Sequence, residues 1–216
     1  MKQTIFKTKL VPLLAISSCY ILFLLGYFEI LIGTFIVLIA SLIEYKKEIF
    51  KSLGLQKKRF KIKSLFIIAP LVSGCLFLLY YFVLVPGVTY ITGKAMDFSA
   101  FDSFNGNLSA TLGLLIFIWI SAAFGEEILF RGYFMKQFIK FFGKNRTSLL
   151  INIILFGVIF GWIHSYQGIT GQIITGIAGV LFAIIFYIRK YDLWFNIAVH
   201  GFFDTIALVF IYYGWY

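Results

Sequence analysis

The feature that most constrains this chain is a series of seven stretches in which apolar residues run on almost without a break. They lie at about 10–28, 30–43, 64–88, 108–128, 148–167, 171–188 and 193–213. A bilayer core is crossed by a helix of about 20 apolar residues. Lipid offers no water to backbone N–H and C=O groups, so only helices and closed barrels span it. Barrel strands alternate apolar and polar residues over about 10 positions. These runs do not alternate, which predicts helices. Composition agrees: 61% of residues are hydrophobic and 13% charged, where a soluble domain has roughly 45–50% and 25%. The expected fold is an all-α polytopic membrane protein of about seven transmembrane helices, with an eighth if 129–142 also inserts. Segment 30–43 is short for a crossing.

The net charge of +10 would suit a nucleic-acid binder, but its distribution argues for topology. Lys2, Lys7 and Lys9 precede the first run, which is read as a retained span and not a cleaved leader. Lys46, Lys47, Lys51, Lys57, Lys58, Arg59, Lys61 and Lys63 separate the second from the third. Lys136, Lys140, Lys144 and Arg146 follow the fourth, and Arg189 and Lys190 the sixth. With seven spans all of these fall on one side, and Lys94 alone on the other. The positive-inside rule makes the crowded side cytoplasmic. The expectation is a multi-pass cell-membrane protein with its N-terminus inside, its C-terminus outside, a lipid bilayer around it and no nucleic-acid partner. Cys19 and Cys75 sit inside apolar runs, and no disulfide or metal pair is expected of them. The outer loop 89–107 reads as an ordinary loop. Small-residue ladders, Gly157 with Gly161 and Gly171, Thr175, Gly179 and Ala183, predict close helix packing. No internal repeat of the kind carriers show is present.

Ionisable side chains inside a span are costly and are functional candidates by default. Six occur here: Glu126, Glu127, Arg131, His164, His200 and Asp204, among only five Glu and two His in the chain. Glu127 and Arg131 are four apart and can pair on one helix face. Glu126 lies about 100° round the helix and points elsewhere. His200 and Asp204 are again four apart, as are Phe160 and His164. Glu126 precedes Lys136, and His200 follows Lys190, by ten residues, about 15 Å of helix. A hairpin turning near Asn145 brings 126 and 164 level. The three elements are therefore expected to meet about midway into the membrane, open toward the basic side.

A buried carboxylate beside a histidine can hold and deprotonate a water, and a second histidine can donate to a developing oxyanion. That is hydrolysis of a peptide bond without a covalent intermediate. The chain has no GxSxG and no HExxH. Two histidines and a carboxylate also make a recognised zinc set, so zinc held by Glu126, His164 and His200 stays open beside a cofactor-free site.

The run Phe124 to Gly132 resembles the EExxxR motif of the CAAX protease and bacteriocin-processing (CPBP, or ABI) family of intramembrane proteases. Phe160 to His164 resembles its FxxxH motif, and His200 to Asp204 its HxxxN/D motif. The resemblance covers about 105–213. It divides the chain into N-terminal helices with a basic loop, 1–104, and a catalytic core, 105–216, with an intramembrane active site. The roles it implies are Glu126 as general base, His164 as holder of the water, and Glu127 with Arg131 ordering the site. His200 would stabilise the oxyanion with position 204, and Phe160 would contact substrate. An ionised Asp204 cannot donate a hydrogen bond, so that role passes to His200 unless Asp204 is protonated, orients His200 or binds a metal. The implied activity is that of an endopeptidase on a membrane-associated peptide or protein. The family's members have also been classed as metalloproteases. The alternative is a non-proteolytic scaffold or bacteriocin self-immunity protein of the same family.

Overall fold

The computed structural model describes residues 9–26 and 29–215. Lys2 and Lys7, used above for orientation, lie outside the described residues. Each apolar run holds a helix, and no strand occurs among the described residues. The helices are α1 (Val11–Leu24), α2 (Ile30–Tyr45), α3 (Ser64–Thr92), α4 (Leu108–Phe142), α5 (Arg146–Ile163), α6 (Gly168–Ile188) and α7 (Leu193–Tyr213). Five helices are long and apolar enough to cross a membrane: α3, α4, α5, the helix comprising α6 and its leading turn Ser165–Gln167, and α7. α1 is a shorter apolar helix, and α2 has 16 residues. Among the described residues the expected count of seven spans is not reached: five helices are of crossing length, and α1 and α2 are shorter. The eighth element expected at 129–142 is a continuation of α4, which runs unbroken for 35 residues.

Helix ends follow ordinary rules. Asn107, Asn145 and Asp192 each accept a backbone N–H with the side chain at the start of α4, α5 and α7, supplying a partner to donors a helix start leaves orphaned. Gly93 and Gly214 close α3 and α7 in the left-handed conformation, where a Cβ would be strained.

α5 and α6 form an antiparallel hairpin whose seam admits no side chain. A Cβ at Gly157 would collide with Val180, and one at Gly161 with the carbonyl of Gln172. The partner small residue is Gly176, outside the expected ladder. Gly179, a member of that ladder, leaves room for the Phe160 ring instead. α7 crosses α3 and α4, with Trp119 lying flat where Gly201 has no Cβ. α2 leans on α4 through Glu44, whose buried carboxylate accepts from Tyr133 (2.6 Å), Gln137 and Lys140 (2.8 Å).

The two ends of the bundle differ. At one, Arg59 donates to the carbonyls of Arg189 and Lys190, and Lys136 to that of Ser52. At the other, Asp97 N–H donates to Gln167 O (3.1 Å), Thr170 to Lys94 O (2.7 Å) and Gly106 N–H to Tyr212 O (2.9 Å). The basic residues between the apolar runs thus gather at the first end, with Lys94 at the second.

Candidate active site

The motif-bearing part of α4, Trp119–Phe134, is wound with N–H groups bonded five residues back. Such widened turns are uncommon and concentrate at functional sites. Gly125 lies where α2 presses closest, and Thr34 of α2 donates to the Gly125 carbonyl (3.0 Å). That bond gives an irregular turn a partner for its carbonyl in a region without water.

From this stretch Glu126 and Glu127 diverge. Glu127 is fully buried in a polar knot. Its Oε1 lies 3.0 Å from Arg131 Nη1 and 3.1 Å from His200 Nδ1, and its Oε2 accepts from Asn196 Nδ2 at 2.8 Å. Asn196 spends its second donor on the carbonyl of Phe182 (3.1 Å), and Arg131 its Nη2 on that of Gly179 (2.9 Å). The guanidinium also lies over the Phe160 ring at 4.8 Å. A buried charge is tolerated when paired and hydrogen-bonded, and both carboxylate oxygens of Glu127 are engaged here, although Arg131 Nε and Asn196 Oδ1 behind them have no partner. Glu126, by contrast, is 7% exposed, and its Oε2 has no hydrogen-bond partner.

Glu126 faces a cavity of about 300 Å³, which His164, His200, Asp204 and Phe160 also line. The structure therefore brings together five of the seven residues singled out from sequence. The other two, Glu127 and Arg131, stand behind the wall and hold it. His200 has Glu127 on one ring nitrogen and Asp204 Oδ2 on the other at 3.4 Å. His164 Nδ1 lies 2.7 Å from the Phe160 carbonyl. A carbonyl only accepts, so Nδ1 carries the proton and Nε2 is the acceptor of the neutral ring. Phe160 is 3% exposed. Its ring meets His164 at a tilt, with centroids 4.9 Å apart, and lies under Arg131, so it contacts both as well as bordering the cavity.

Three expectations need correction. His164 is not mid-helix: α5 ends at Ile163, and His164 is the residue that turns the chain into Ser165–Gln167. The cavity also does not lead toward the basic end. Gly132 packs on Leu193 and Leu53 there, and the Glu127 knot fills what remains. The lining continues the other way, to Met96, Phe98 and Phe101. The loop read as ordinary is therefore the cavity's cover. It is pinned by the two bonds from Asp97 and to Lys94 described above.

Asn196 was missed. It stands four residues before His200, so 196, 200 and 204 form one polar stripe on an otherwise apolar α7. Extending the i,i+4 step backwards from His200 would have found it. The aromatic cover carries no such signal, because it is set by where a loop lands. Among the described residues no group of three His, Cys, Asp or Glu side chains could hold a metal ion. Each histidine has its Nδ1 engaged by protein oxygen.

Residues 107–206 match the family model described as Rce1-like type II CAAX prenyl endopeptidases. The matched segment begins at the cap of α4 and ends inside α7, enclosing all seven residues. It is consistent with the CPBP family and indicates a CAAX-type protease. No curated protein and no solved structure matches the chain.

Proposed function

We propose that this multi-pass membrane protein is an intramembrane endopeptidase that hydrolyses a peptide bond of a membrane-associated protein or peptide with a water activated by Glu126. The observation that carries the reading is Glu126 itself: a buried carboxylate with an unpartnered oxygen, on the wall of a cavity shared with both histidines of the chain.

Glu126 takes a proton from the water while Nε2 of His164 holds it by accepting its second hydrogen. The hydroxide adds to the scissile carbonyl carbon. The oxygen of that carbonyl becomes an oxyanion and receives a hydrogen bond from His200. The proton on Glu126 passes to the leaving amine as the C–N bond breaks, so atoms and charge balance without a covalent enzyme intermediate. Glu127 and Arg131 do not touch substrate on this scheme; they fix His200 and the floor beneath Glu126. Asp204 orients His200 from its other side, and an oxyanion competes with Asp204 for the Nε2 proton. The scheme requires no cofactor. The basic end is taken as cytoplasmic, with the N-terminus inside and the C-terminus outside. A substrate then enters from the end covered by Met96–Phe101.

The test compares the termini of membrane-associated peptides in cells carrying wild type or Glu126→Gln at equal protein levels. Termini present with wild type and lost with the variant are expected, and they would name the substrates. Identical termini, with the variant rescuing a deletion phenotype, would overturn the reading in favour of a scaffold or immunity protein.

A further inference from the structure

A second cavity, of about 340 Å³, opens at the basic end between the chain around Ser52–Arg59, α4 and the loop before α7. Five cations line it: Lys51, Arg59, Lys136, Lys144 and Lys190, with Tyr191 beside them and no carboxylate in the lining. Two of the nearby acids offset a lining cation in part, and no acid enters the lining. Glu48 pairs with Lys51 on the exposed surface (3.2 Å), Glu44 is covered by its three donors, and Asp192 accepts from Phe195 N–H to cap α7 while sharing the field of Arg59 with Arg189 and Lys61.

The walls are fixed by backbone. Arg59 Nη1 donates to Lys190 O at 2.7 Å, and Leu193 N–H to Gly54 O at 3.3 Å. Gly54, at φ +95°, could not carry a Cβ without meeting Tyr191 O and Lys136 Nζ. Lys190 and Tyr191 follow each other with φ of 54° and 64°. That conformation is strained for a side-chain-bearing residue, and such residues cluster at ligand sites. Lys136 and Lys144 lie over the Tyr191 ring at 5.9 and 4.8 Å. Like charges converging at this distance repel unless an anion joins them.

We propose that this cavity binds a phosphate-bearing anion. With Nη1 spent on the carbonyls of Arg189 and Lys190, Arg59 offers Nε and Nη2 to phosphate oxygens, and the lysines add point charge. The C-terminal part of α4, Met135–Phe142, is amphipathic, with Lys136, Gln137 and Lys140 set against Phe138, Phe141 and Phe142. That places the cavity at headgroup depth. The phosphate belongs to an anionic lipid headgroup or to a soluble phosphate. The site does not depend on whether the protein is a protease.

The experiment measures thermal unfolding of the full chain in neutral detergent with added phosphatidylglycerol, phosphatidylcholine, inorganic phosphate or polyglutamate. The variants are Lys144→Gln/Lys190→Gln, which removes two exposed cavity cations, and Lys57→Gln/Lys58→Gln, which removes two basic residues outside the cavity. Phosphatidylglycerol is expected to raise the melting temperature above phosphatidylcholine. The half-saturating concentration should rise roughly tenfold or more in the cavity variant, from about 1 kcal/mol per lysine near a charged surface, and stay put in the control variant. A rise with inorganic phosphate as well assigns the site to soluble phosphate; a rise with the lipid alone assigns it to a headgroup. Equal effects of both lipids, equal losses in both variants, or a response to polyglutamate only would overturn the proposal.

Discussion

The two sides of α4 hold adjacent glutamates in opposite circumstances. On the packed side, Glu127 is closed in by Arg131, His200 and Asn196, and each of those partners is anchored again on α6 or α7. On the cavity side, Glu126 keeps an oxygen free. One peptide unit separates a residue whose charge the fold needs from one whose charge the fold does not use. The difference teaches that burial alone does not mark a reactive group. What marks it is an ionisable group buried with an oxygen left unpartnered, next to space.

The largest effect that would break this contrast is on rate. Glu126→Gln keeps size and removes the base, so peptide cleavage by purified protein should fall by about 10²–10⁴-fold, with the melting temperature unchanged or raised. A variant that cleaves normally, or that fails to fold, ends the comparison. Next is Glu127→Ala. It leaves the Arg131 guanidinium buried and unpaired, at a cost of about 3–5 kcal/mol, read as loss of folded protein in detergent denaturation. A well-folded Glu127→Ala would show the knot to be dispensable. Asn196→Ala sharpens the picture at about 1–3 kcal/mol, because it strips one donor from Glu127 and one from the Phe182 carbonyl. Its cleavage should fall through kcat, since Glu127, the partner of His200 Nδ1, is held by one donor fewer, while KM stays put. The smallest effect serves as the baseline. Glu48→Gln breaks an exposed pair with Lys51 and should change stability by less than about 1 kcal/mol.

Much of this was legible before any coordinates. The seven apolar runs fall on α1–α7 because a continuous apolar stretch in lipid has no alternative to helix. The membrane ionisables led to the cavity because nothing else justifies their desolvation. Lengths were harder. Residues 129–142 stand in the sequence as a conditional eighth span, yet no break separates them from α4, which runs on to Phe142. His164 reads as internal to a span because Trp162 and Ile163 precede it and Tyr166 and Ile169 follow it; the helix nevertheless ends at Ile163, with His164 at its cap. The direction of the cavity was read backwards. It depends on Gly132 meeting Leu193 and Leu53, a contact between residues far apart in sequence. Only the tertiary fold makes that contact.

The glycine seam between α5 and α6 has a consequence for anyone who lines up related chains. Gly157 and Gly161 have little freedom to drift, because Val180 and the Gln172 carbonyl occupy the space a methyl would need, and Gly176 fits only tightly against the Gly157 carbonyl. Leu13, Leu14 and Tyr20 on the outer face of α1 are 50–61% exposed and can exchange with any greasy residue. Invariance in an alignment would therefore gather at two unlike places, the seam and the cavity. A search for catalytic residues by invariance alone would rank three inert glycines beside Glu126. In this architecture the unchanging residue and the reacting residue have to be told apart by what surrounds them: backbone in one case, empty space in the other.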